Sequence, residues 1–233
     1  MQSSRKSIIR VILLWLILMV LLFFHVYFGR KNITALLYDG YMLVTPFSLT
    51  KFIEKRSIIE RFGFQRNNAL GLLVVTYLGL LVVYYFDIDD ITGIFFAPLF
   101  EEILFRGYML GTLYKWNHDE WRWISLTSFL FASGHIFRYY PTFPLDELVW
   151  AMFISFIGGL FLGFFYVWSR TILWCFLFHM LYNLFPPYRL PMLIVSLLII
   201  LLAPRLKPFF QNKRETDVSS KILLVLEEKS INP

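Results

Sequence analysis

Charge is scarce in this chain. Asp, Glu, Lys and Arg together make up 16% of its 233 residues, where an ordinary soluble domain carries about 25%. A surface built from so few charges does not keep a protein of this size in water. Cysteine is scarcer still: the single Cys175 excludes an intramolecular disulfide and leaves the redox compartment unread. Acidic residues number 16 against 22 basic ones, a net charge of +6. Such a balance can signal nucleic-acid binding. Here the basic residues sit in the breaks between apolar runs, where they anchor loops on one side of a membrane. The expected partner is therefore the lipid bilayer, with no nucleic acid. Small-x-small cleavage sites are also missing after the first apolar run, Val11 to Phe28, so that run is expected to stay as a helix and not to be removed as a signal.

Apolar surface is what the chain has in abundance: 58% of residues are hydrophobic, 20% are aromatic, and the mean hydropathy is +0.62. It comes in runs, at residues 11–28, 36–49, 68–86, 91–113, 123–137, 147–168, 171–185 and 191–204. This pattern predicts an all-α fold, a polytopic transmembrane helical bundle of about eight spans. Residues 1–66 then hold an anchor helix, a short apolar segment and a charged linker. Residues 67–204 form a transmembrane catalytic bundle with its core motifs in 91–186, and 205–233 are a charged tail. The Ile222-Leu-Leu-Val-Leu run of the tail is too short to span and suits a membrane surface. The segment Leu36–Leu49 holds Asp39, Gly40 and Pro46; a span, a re-entrant hairpin and an interfacial segment all fit it. If it crosses, both termini share one side with 17 Lys or Arg, and the other side has four. The bias towards one side then makes both termini cytoplasmic in an integral, multi-pass membrane protein. If it does not cross, everything after it inverts.

Against this apolar background three polar clusters stand out. The first is Phe100-Glu101-Glu102-Ile103-Leu104-Phe105-Arg106-Gly107. A carboxylate or guanidinium at bilayer depth costs roughly 2.5–3.5 kcal/mol on insertion scales, so such groups pair, line a wet cavity or do chemistry. Glu102 and Arg106 are four apart and share a helix face, whereas Glu101 lies about 100° round. One carboxylate can thus be neutralised by arginine while the other stays available as a general base. The second cluster is Phe131-Ala-Ser-Gly-His135, whose small residues allow close helix approach. The third is His179-Met-Leu-Tyr-Asn183, which places two polar groups on one helix face, suited to interhelical bonding or to stabilising an oxyanion. Each is weak alone. Three on three helices imply convergence.

Other readings use the same residues. His135, His179 and a glutamate form a two-His-one-carboxylate zinc set, although no His-Glu-x-x-His helix accompanies it. Cys175 precedes His179 by four residues, the spacing of a thiol–imidazole pair, and also that of plain packing. His25 and His118 read as interfacial and loop residues. The Gly159-x-x-x-Gly163 and Gly107-x-x-x-Gly111 spacings are helix-packing signals.

In order and spacing, Glu-Glu-x-x-x-Arg, Phe-x-x-x-His and His-x-x-x-Asn resemble the CAAX protease and bacteriocin-processing family, also called type II CAAX prenyl endopeptidases or Abi proteins. Phe105-Arg106-Gly107 and the Gly159-x-x-x-Gly163 helix before the third motif match as well. The resemblance covers about residues 91–186, and no motif position departs from it. It implies an intramembrane endopeptidase of the glutamate type acting on a membrane-associated protein or peptide. In it Glu101 would activate water with help from His135, His179 and Asn183 would stabilise the oxyanion, and Glu102 and Arg106 would hold the catalytic helix in register. No cofactor is implied. The compact length points to a prokaryotic cell membrane. On the eight-span topology His135 falls near the outer end of its helix, which favours a substrate presented from outside over a prenylated cytoplasmic tail. The competing classes are a non-catalytic immunity or scaffold protein, a zinc-dependent version of the same protease, and a proton-coupled transporter.

Overall fold

The computed structural model describes residues 2–28, 33–55, 57–62, 69–114, 119–139, 143–185, 191–202 and 205. The charged tail with its Ile222 run and the loop holding His118 lie outside them. Every described element is helical, and each of the eight apolar runs is found within a helix. These are α1 (Gln2–Phe28), α2 (Ile33–Ser48), the short α3 (Ile58–Phe62), α4 (Ala69–Tyr85), α5 (residues 88–114), α6 (Glu120–Tyr139), α7 (Leu145–Ser169), α8 (Ile172–Leu184) and α9 (Pro191–Leu202).

Local chemistry sets several of their ends. Asp87 caps α5: its Oδ1 accepts from the Asp90 amide at 3.0 Å. Asp119 does the same for α6 through the Arg122 amide at 3.2 Å. Thr171 Oγ1 caps α8 through the Leu173 amide at 3.2 Å. Each cap satisfies an amide that has no intrahelical partner. The acidic run at 87–90, expected as a break, is thus the first turn of α5. At the other end of α7, Arg170 adopts a left-handed conformation (φ 57°), and its amide bonds the Tyr166 carbonyl at 2.8 Å. That αL closure stops the helix and lets α8 turn back.

Helix α5 is the axis of the molecule. Residues 101–110 are all buried, as expected of a helix packed on every side. Helices α1, α2, α3, α6, α7 and α8 pack against it. Two of its stretches, Thr92–Phe96 and Ile103–Leu110, are wound as wider π turns and flank Glu101 and Glu102. Such turns free carbonyls from the usual ladder and are frequent at functional sites. Arg61, from the stretch expected as a linker, braces the end of the second π turn. It donates to the carbonyls of Tyr108 (3.2 Å) and Gly111 (3.0 Å) and to Thr112 Oγ1, and it faces Glu54 at 3.6 Å.

The glycine spacings are packing devices, as expected. A methyl at Gly163 would lie 2.6 Å from Ile124 Cγ2, and one at Gly159 would lie 2.9 Å from Ser128 Cβ, so α6 and α7 meet backbone to side chain. A methyl at Gly107 would run into the Phe62 ring.

Two helices, Arg5–Tyr27 within α1 and Leu145–Ser169, are long and apolar enough to cross a membrane. Length separates them from α8 and α9: at 1.5 Å per residue, the 13 residues of α8 rise only about 20 Å. The outer faces are nevertheless apolar. Leu13, Ile17 and Val20 on α1, Leu73 and Leu80 on α4, and Val195 and Leu201 on α9 are all about half exposed or more.

Candidate active site

Four helices bring the polar clusters together. α5 carries Glu101, Glu102 and Arg106, α6 carries His135, α8 carries His179 and Asn183, and α7 supplies a carbonyl. Glu102 is fully buried and Arg106 is 2% exposed. Arg106 Nη1 donates to Glu102 Oε1 at 3.0 Å, the expected i,i+4 pair. The guanidinium also donates to the Gly159 carbonyl at 3.4 Å and stacks 4.5 Å from the Phe131 ring centre. One arginine therefore ties α5 to α6 and α7.

Glu102 has a second partner that its spacing does not reveal. His179 Nδ1 lies 2.9 Å from the same Oε1. A carboxylate only accepts, so the ring donates there. This fixes the imidazole and turns its Nε2 towards Glu101, whose Oε2 is 3.7 Å away. Glu102 thus orients His179 as well as neutralising Arg106. On α6, His135 Nδ1 lies 3.1 Å from the Phe131 carbonyl. Donation to that carbonyl leaves Nε2 as the basic nitrogen of the neutral ring. Phe131 stands between the two histidines, its ring 4.8 Å from His135 and 5.9 Å from His179.

Glu101 and His135 line a small common cavity of about 20 Å³. That volume accommodates one water, which needs about 10–15 Å³. Leu18, Met19 and Leu22 of α1 and Tyr38 of α2 close it, a contribution the motif spacings did not reveal. Glu101, His135, His179 and Asn183 also line a much larger cleft between α5, α7, α8 and α9. Asn183 uses its side-chain amide to bond the Gly93 carbonyl at 3.1 Å, in the first π turn of α5.

The remaining candidates sit elsewhere. Cys175 is fully buried, and its thiol lies 3.4 Å from the Leu162 carbonyl, a packing position on α7. His25 stacks on Tyr38 at 5.7 Å. Among the described residues no three His, Cys, Asp or Glu side chains are arranged to hold a metal ion. The missed Arg61 and Phe62 had a faint signal: Ile58 and Phe62 are four apart inside the charged stretch, an apolar turn of helix.

Residues 88–185 match the family model described as type II CAAX prenyl endopeptidase Rce1-like. The match spans all three motifs and bears out the resemblance read from them. No curated protein and no solved structure matches the chain.

Proposed function

From the peptidase-family match over residues 88–185, we propose that this protein is an intramembrane endopeptidase that cleaves a membrane-associated protein or peptide with a water activated by Glu101. The observation that carries this reading is the water-sized cavity shared by Glu101 and His135, opening beside a peptide-sized cleft. Glu101 takes a proton from the water as its oxygen attacks the scissile carbonyl. His135 Nε2 accepts the water's other hydrogen bond and aims it. The carbonyl oxygen gains negative charge and takes a hydrogen bond from His179 Nε2. Nδ1–H is already on Glu102, so this step uses the doubly protonated ring, both of whose nitrogens donate. Asn183, held on Gly93, keeps one amide hydrogen for the same oxygen. When the C–N bond breaks, Glu101 returns its proton to the leaving amine.

The surrounding bundle is a membrane one in this reading, with eight crossings and both termini cytoplasmic. Three charges of its middle, Glu101, Glu102 and Arg106, lie inside while large apolar side chains face outward, the inverse of a protein in water. The reaction needs no resident metal. In the zinc alternative His135 and His179 would be ligands.

Mass spectrometry of membrane-associated proteins and peptides from cells carrying the wild-type or the Glu101→Ala chain tests the proposal. Termini that depend on Glu101 name the substrate. Identical peptide profiles, with both chains present in the membrane, would refute it.

A further inference from the structure

The cleft that reaches the four site residues has a volume of about 1,460 Å³. Small-molecule sites are about 300–1,000 Å³, so this is room for a length of peptide. Its walls are mainly apolar, with Trp150 and Ile154 on α7, Phe178 on α8 and Phe185 just past its end, and Leu193 and Ile199 on α9. Among the described residues the permanent charges that line it are acidic, and its only basic groups are the site histidines, His135 and His179. Besides Glu101, the lining holds Asp90 in the first turn of α5 and Glu147 in the first turn of α7, with no Lys or Arg among the described residues. Both Asp90 and Glu147 are exposed, and neither carboxylate has a partner among the described residues.

This runs against a chain whose net charge is +6. Acidic residues suit the first turn of any helix, where they face the positive end of the dipole. That accounts for an acid on each helix but not for both lining one cleft. A cleft with apolar walls and two exposed carboxylates focuses their field on whatever approaches them. A free C-terminal carboxylate would meet repulsion at Asp90 and Glu147, because its capture takes a cation or a nest of amides.

We propose that the cleft takes a peptide whose apolar stretch ends in Lys or Arg, with the apolar part along α7, α8 and α9 and the basic end at Asp90 and Glu147. That the bound peptide is also a substrate rests on the endopeptidase reading above.

The test uses the full-length Glu101→Gln protein in detergent, which can bind without turnover. The probes are three fluorescein-labelled peptides with the same ten-residue Leu/Ala/Phe run, blocked termini, and Lys-Lys, Ser-Ser or Glu-Glu at one end, made in both orientations. Fluorescence anisotropy at low salt should show the Lys-Lys peptide binding at least about tenfold tighter than the Glu-Glu peptide, since like charges across an interface are strongly disfavoured. Added salt should shrink the difference. Adding Asp90→Asn and Glu147→Gln should abolish it. Adding Asp90→Lys and Glu147→Lys should invert it, a gain that a misfolded protein cannot show. Equal affinities, absence of binding by all peptides, or a preference that survives removal of both carboxylates would overturn the proposal. Cleavage of the same peptides by the wild-type chain is read separately. Charge-selective binding without cleavage sinks the endopeptidase reading alone, and cleavage indifferent to charge sinks this inference alone.

Discussion

At the scale of single residues, the two adjacent glutamates are separated by what surrounds them. Glu101 faces a water-sized cavity, while Glu102 is enclosed by Arg106 and His179. Glu101→Gln keeps the volume and removes the proposed base. Turnover should fall at least about 100-fold, because general-base catalysis is typically worth 10²–10⁴, and the thermal transition in detergent should be unchanged. Glu102→Gln strands a guanidinium that is 2% exposed. Breaking a buried pair costs about 3–5 kcal/mol, so this variant should lose stability and activity together. Equal melting of the two variants would show that the carboxylates do not divide in this way. Cys175 belongs to packing, with its thiol on the Leu162 carbonyl. Cys175→Ala should therefore cleave substrate as the wild type does, and a large loss of turnover in a folded protein would bring back the thiol–imidazole pair.

At the scale of elements, α5 is positioned from the N-terminal third of the chain. Phe62 of α3 covers Gly107, Arg61 holds the Tyr108 and Gly111 carbonyls at the end of the second π turn, and α1 and α2 wall the water-sized cavity. Gly107→Ala should lower stability by about 1–3 kcal/mol, the usual cost of forcing a methyl into a filled site. Phe62→Leu in the same chain should recover part of that loss, and denaturation of the two single variants and the double one measures the coupling. Strict additivity would mean that Phe62 does not press on Gly107. Little of this was legible beforehand. The linker looked polar because five of its residues between 51 and 66 are Lys or Arg, and nothing in spacing distinguishes an arginine in solvent from one capping a helix 50 residues away.

At the scale of the whole molecule, the orientation follows from whether α2 crosses the bilayer. α2 runs from Ile33 to Ser48 with Pro46 inside it and continues through a π turn to Ile53. Including that turn it rises about 30 Å, enough for the hydrocarbon core. A crossing α2 leaves Ser57 cytoplasmic and Asp89 outside, consistent with 17 basic residues on the inner side against four. In a Cys175→Ala background, cysteine at position 89 should react with a membrane-impermeant maleimide in intact cells, and cysteine at position 57 only after lysis. The reverse pattern would place the cleft on the cytoplasmic side. Metal analysis of active, chelator-treated protein belongs to this scale as well. Activity should persist without zinc; stoichiometric zinc whose removal stops cleavage would assign His135 and His179 as ligands.

Apolar length determined by itself where the long helices run, because it is a property of a local stretch of chain; the short α3 and the first turn of α5, which lie in charged stretches, it did not mark. They also determined that Glu102 and Arg106 pair, since a helix puts residues four apart on one face. Tertiary structure alone decided that His179 leans on Glu102 from 77 residues away, that Glu101 shares a cavity with His135, and that α1 and α2 close it. Those contacts depend on the crossing and register of helices packed around α5. Register is set by the neighbour each glycine admits and by where a π turn widens the helix; the Gly-x-x-x-Gly spacings mark the glycines but neither their neighbours nor the π turns.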